Sequence, residues 1–206
     1  VRGKSTVDEI EALVNQLQAT VKGMDSASLR TVGWWPDGYD RFTSALTAMQ
    51  ALREQITLDS GLILDPWLET YLLMQISTQQ TPDLIERIGR MASVGQSSIA
   101  SGQFTLQSRL QMRDLRGRMG DARDQLVKAA ASLKAKQYVG MEPWTAQYDT
   151  SVQRLDNELK VLDDGVFGGT IKLDPASFER SVDAMLGSLG ALRKQSLGSL
   201  DARLTH

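Results

Sequence analysis

From Met112 to Leu133 the apolar residues Met112, Leu115, Met119, Ala122, Leu126, Ala129 and Leu133 fall at spacings of 3, 4, 3, 4, 3 and 4. A strand puts alternate residues on one face and cannot collect this set on one side. A helix can, as a continuous seam of the kind that faces another helix. Val7, Ile10, Val14, Leu17, Val21 and Met24 repeat the pattern at 3, 4, 3, 4 and 3. Any fold for this chain must therefore bury long helical seams against one another. No strand-rich region, low-complexity segment or short-period repeat competes with that requirement.

Proline, glycine and capping residues divide the chain into elements. Thr6 with Glu9 forms a capping box, so a first helix is predicted from Thr6 to Thr31. The stretch VGWWPDG, Val32 to Gly38, interrupts it, and a second helix runs from Asp37 to Leu58 with Phe42, Leu46, Met49, Leu52 and Ile56 on its apolar face. Asp59-Ser60-Gly61 ends that helix, Leu62 to Leu64 connect, and Asp65-Pro66 reads as N-cap and first residue of a third helix reaching Ser77. Thr81-Pro82 repeats the cap-then-proline signal before a stripe of Leu84, Ile88, Met91, Gly95 and Ile99; spacing alone leaves open whether the helix breaks or kinks at Pro82.

After Ser101-Gly102 the longest helix is expected over Gln103 to Gln137, with Gly117 and Gly120 each weakening it by roughly 1 kcal/mol relative to Ala. Pro143 opens the next helix, whose seam is Tyr148, Val152, Leu155, Leu159 and Leu162, and Asp163-Asp164-Gly165 ends it. Val166 to Leu173 reads as an extended loop. Asp174-Pro175 starts the last helix, with Phe178, Val182, Met185, Leu189, Leu192 and Leu200 inward. The predicted fold is all-α: an elongated antiparallel bundle of six helices over 1–206, either one domain or two stacked helical modules. The longest helices would reach roughly 45–50 Å.

Composition removes several functions. The net charge is −2 and the pI about 5.5, which argues against a general nucleic-acid partner. There is no cysteine, and the one histidine is His206, so disulfides, Cys-ligated metals, His-ligated metals and Ser-His or Cys-His catalysis lack their residues. No cofactor or metal motif is present, and the chain is not expected to be an enzyme. No apolar run approaches the ~20 residues of a membrane span.

One stretch carries a family likeness. DSGLILDPWLETYLLM followed by TPDLIERIGRM places a Ser, an apolar connector, Leu-Asp-Pro, a Tyr, Leu-Met and a Pro-initiated helix at Ser60, Leu64, Asp65, Pro66, Tyr71, Leu73, Met74 and Pro82. This resembles the extracytoplasmic sensor regions of bacterial methyl-accepting chemotaxis proteins and of related sensor histidine kinases and diguanylate cyclases. The closing LDARL, Leu200 to Leu204, resembles the segment before the second membrane span of that family. Where the family often has an Arg after the first part of the motif, this chain has Ala92.

The resemblance implies a periplasmic domain of an inner-membrane receptor, held between two membrane helices that this chain does not contain. It also implies pairing as a homodimer and a small-molecule ligand bound among the helices. The alternatives are the same sensor on a kinase or cyclase, and, in another class, a helical interaction or scaffold domain.

Three groups of residues are candidates for the ligand. Trp34, Trp35, Tyr39 and Arg41 combine aromatic surface and a guanidinium at a helix break; the structural alternative is that the Trp pair packs over the bundle end. Trp67 and Tyr71, four apart, either line a cavity or belong to the core. Arg109, Arg113, Arg116, Arg118 and Arg123 crowd the longest helix. Of these Arg113 approaches an apolar stripe, where a guanidinium wants a carboxylate from the protein or from a ligand. Arg87 and Arg90, flanking the aromatic stretch, pose the same choice. The alternative for the arginines is a solvated face balanced by Asp114, Asp121 and Asp124.

Overall fold

The computed structural model describes residues 2–22, 35–59, 67–167 and 171–205, with the side chains of 2–7, 9, 20, 35–39, 41 and 42 outside that description. The regular elements among the described residues are all helices, and the chain divides into two compact units, Val1–Asp65 and Pro66–His206. No helix among the described residues is long and apolar enough to cross a membrane.

The first unit is a pair of helices, α1 (Arg2–Lys22) and α2 (Trp35–Asp59), packed on each other. α1 is already helical at Arg2, so Thr6 is not its cap; the helix continues upstream of the residue that offered a capping side chain. Trp35 to Gly38, expected in the break, already belong to α2, which runs to Asp59; the chain after Lys22, Val32 to Trp34 of the break, Ser60-Gly61 and the Asp65-Pro66 start lie outside the described residues. Burial here is thin. Among the described residues only Ala45 is buried, Val14 and Leu17 are half-buried, and Val21, Met49 and Ile56 are exposed.

The second unit is a four-helix bundle. Its first arm is α3 (Leu68–Gln75), a π-helical turn (Ile76–Gln80) and α4 (Thr81–Ser101); then come α5 (Leu106–Lys134), α6 (Glu142–Leu162) with a second π-helical turn (Asp163–Phe167), and α7 (Pro175–Leu204). The helix does not break at Pro82. Proline has no N–H to give and its ring crowds the carbonyl four residues back, here Thr78. The wider π turn spans that residue, and the chain passes into α4 without a cap. A carbonyl of the π turn, that of Ser77, accepts from Arg193 Nε of α7 at 3.1 Å, while the buried Gln80 Oε1 and Thr81 Oγ1 have no hydrogen-bond partner among the described residues.

Pairwise contacts fix the directions. Arg116 meets Asp163, and seven residues later Arg123 meets Asp156, seven residues earlier, so α5 and α6 are antiparallel. Trp144 with Ser196 and Ser151 with Ser188 do the same for α6 and α7. Glu69 with Arg203, Ser77 with Arg193, and Gly95 with Phe178 run the first arm against α7. Up-down-up-down winding closes the bundle. The seam expected over Met112 to Leu133 is buried along its whole length, as are Phe178, Val182, Met185, Leu189, Leu192 and Leu200.

Two features of the core escape the periodicity. Trp144, fully buried, stacks on Tyr148 with centroids 5.4 Å apart and donates Nε1–H to Ser196 Oγ at 2.9 Å. Gly95 lies under Phe178: a Cβ there would collide with the ring and stand 3.1 Å from Met112 Cε. α5 is shorter than expected at both ends, because Thr105 caps it by accepting from Ser108 N at 3.1 Å and the chain leaves the helix after Lys134. α6 does not stop at Asp163-Asp164-Gly165. It widens into the π turn through Phe167, so Val166 and Phe167 are helical rather than extended.

Candidate functional site

α5 carries five arginines, and the fold divides them into two sets. Arg116 binds Asp163 in fork geometry, Nε to Oδ1 at 2.8 Å and Nη2 to Oδ2 at 2.7 Å. Arg123 binds Asp156 in the same way at 2.9 and 2.7 Å, with Asp124 beside it, and these hydrogen bonds raise its already high pKa. Arg118 pairs with Asp114 one turn back. The remaining two, Arg109 and Arg113, have no hydrogen bond or ion pair to their guanidinium groups among the described residues. They stand four apart on one face, where like charges repel by roughly 0.2–0.5 kcal/mol.

Both line one cleft, together with Phe104, Met112, Val166, Phe167 and Ile171. It is shallow and open, with about 340 Å³ of space out to solvent. The elements explain the lining. Gly102, in the left-handed region at φ 64°, ends α4 and turns the chain so that Phe104 precedes the start of α5. The register set by Arg116–Asp163 puts Arg113 level with Val166, one turn nearer the bundle end. The far wall is the second π turn and the strand-like return after it. Lys172 N and Leu173 N both donate to Gly165 O, at 2.7 and 3.3 Å. Leu173 fills the place a Cβ of Gly165 would need. Met112 forms the floor, wedged toward Gly95 and Phe178. No carboxylate lines the cleft among the described residues.

The opposite end of the bundle is closed. Arg203 of α7 reaches Glu69 of α3 and lies over the ring of Tyr138, whose phenol is pushed up chiefly by burial. No group of three or more His, Cys, Asp or Glu among the described residues could hold a metal.

The residues singled out in the sequence scatter. Trp34 lies outside the described residues. Trp35, Tyr39 and Arg41 belong to α2 in the first unit, and their side chains lie outside the description. Trp67 is the N-cap of α3 and 63% exposed, so it is not a core residue; Tyr71 is half-buried one turn on, its N–H donating to Trp67 O. Arg87 is half-buried on α4, and its buried Nε has no hydrogen-bond partner among the described residues. Tyr71 and Arg87 stand roughly 24 Å apart along one arm and do not converge. Arg113 does line a cleft, although it is exposed rather than partly buried.

Arg109 stands among the five candidate arginines of α5 with no mark to separate it, and Phe104, Phe167 and Ile171 carry no signal of a site in the sequence. One signal for the arginines is present in the chain: neither Arg109 nor Arg113 has an acidic residue three or four positions away. Arg116 shares that signal and finds Asp163 across the helix pair, so spacing alone does not separate them.

The all-α fold and the four-helix bundle define the structural class. Comparison with protein-family models, with curated proteins and with solved structures finds no match.

Proposed function

We propose that the chain is the ligand-sensing part of a bacterial transmembrane receptor, with a chemoreceptor as the leading case. One observation carries the reading most: the first turn of α3 and the last turn of α7 meet at Glu69 and Arg203, so the second unit takes in and releases the chain at one end. The arginine cleft lies at the other end, about 45 Å away along α7. A unit with both of its connections at one end and its binding site at the other suits a sensor whose last helix carries the signal away from the site. A ligand in the cleft touches α5 and the return into α7. By favouring one arrangement of the pair it biases the far end of α7.

In this reading the domain is periplasmic, pairs as a homodimer, binds a small polar molecule with carboxylates as the class two arginines suit, and is not an enzyme. The likeness of Ser60 to Pro82 and of Leu200 to Leu204 to chemoreceptor sensor regions supports it. The test is the full gene. A hydrophobic stretch of ~20 residues on each side of this segment is expected, followed by a signalling module. A gene lacking both stretches removes the receptor reading.

A second reading, a helical interaction module, has one observation in its favour. The first unit leaves Val21, Met49 and Ile56 of its helical faces exposed. It would gain from the absence of flanking spans.

A further inference from the structure

We propose, resting on the sensor reading for its purpose, that the cleft between α5 and the second π turn binds a small carboxylate with a flat apolar body, an aromatic acid being the type. The head group is set by the two guanidiniums. Three of the five arginines on α5 are neutralised by Asp163, Asp114, Asp156 and Asp124, and the two that are not are the two that line the cleft. A carboxylate between Arg109 and Arg113 accepts charge-assisted N–H bonds from both and removes their mutual repulsion.

The body is set by the rest of the lining. Phe104, Phe167, Met112, Val166 and Ile171 offer rings and methyl groups, and none of the described lining residues besides the two arginines brings a polar side chain for a sugar or a second polar head. The cleft is small and open, about 340 Å³ out to solvent, so a carboxylate held by the two guanidiniums leaves the apolar body against the two phenyl rings. Fully hydrated anions gain nothing from those rings, which is why a bare anion is the weaker ligand.

The assay is calorimetry on the 206-residue protein with benzoate and phenylacetate, benzamide as the uncharged shape match, and inorganic phosphate as the bare anion. Benzoate or phenylacetate is expected to bind and benzamide and phosphate to bind at least about tenfold more weakly, the factor of one lost charge-assisted contact. Arg109→Gln and Arg113→Gln each weaken the carboxylate by about tenfold or more, and Arg118→Gln leaves it unchanged. Phe167→Ala weakens benzoate while leaving phosphate as it was.

Because both arginines are exposed, far-UV circular dichroism and the melting temperature should not move in either variant. No binding of either carboxylate overturns the proposal, as does binding indifferent to Arg109 and Arg113. Phosphate binding as tight as benzoate would mark a bare anion site and overturn the assignment of the body. A change in sedimentation on mutating either arginine, without loss of ligand heat, would assign the pair to an acidic surface of a second copy. Failure here leaves the receptor reading intact if membrane spans flank the segment; absent spans with intact binding leave the site and remove the receptor.

Discussion

Replacing Gly95 with alanine separates two effects of known and opposite sign. In a helix interior the change gains about 0.5–1 kcal/mol, because glycine loses more backbone freedom on folding. At Gly95 the new methyl meets the Phe178 ring and comes within 3.1 Å of Met112 Cε, and both neighbours are fully or almost fully buried. Neither can move without displacing others, so overpacking costs about 1–3 kcal/mol. The net expected result is a loss of roughly 0–2.5 kcal/mol. Gly187, on α7, provides the reference: a methyl there meets nothing within 4 Å, so Gly187→Ala should stabilise by the propensity term alone.

The quantity to measure is the difference between the two variants in urea melts of the second unit, expected at about 1–3 kcal/mol. By calorimetry the same difference is a gap of roughly 2–12 °C. Adding Phe178→Leu to Gly95→Ala should recover part of the loss, because the two sites are in contact and their effects do not add. If Gly95→Ala stabilises as much as Gly187→Ala, the close approach of α4 and α7 beneath the cleft floor is wrong.

Ser196→Ala removes the acceptor of the buried Trp144 Nε1–H and should cost about 1–3 kcal/mol, read in urea melts followed by tryptophan fluorescence; a cost near zero would mean the indole finds another partner. A double-mutant cycle on Arg123 and Asp156 should give a coupling below about 1 kcal/mol despite the fork geometry, since the Asp156 side chain is 42% exposed. A coupling of several kcal/mol would mean that the pair is shielded from water. Burial raises the Tyr148 phenol above its ordinary 10.0. The unfolded chain therefore loses this proton first, and the stability it contributes is intact below pH 10 and lost as pH climbs through the folded value. Melts at rising alkaline pH should show a smaller loss in Tyr148→Phe than in wild type, and equal losses would contradict the assignment.

Much of the bundle was legible because it is periodic. The Met112 to Leu133 seam and the inward residues of α7 are buried as their spacing requires, and Asp174 caps α7, accepting from Ser177 N. What spacing missed depends on cross-helix partners or on departures from the α period. Asp163 read as part of a helix end before glycine, yet Arg116, 47 residues away, holds it at the start of a π turn. Pro82 read as a second start, yet the π turn carries the helix past it. Trp67 is at helical spacing from Tyr71 but precedes the helix and faces water. The cleft was only half visible. Arg113 carries charge in a helical pattern, but Phe104, Phe167 and Ile171 come from two connections whose meeting at one bundle end is a property of the winding, not of any local sequence.

The most direct test of the receptor account is membrane topology in the full-length gene. Alkaline phosphatase, active only outside the cytoplasm, and a fluorescent protein that matures inside it should each be fused after Thr205. The account expects active phosphatase and a dark fluorescent fusion, both in the membrane fraction. Inactive phosphatase with bright fluorescence would place the cleft on the wrong side of the membrane for a sensor of external ligands and contradict the account.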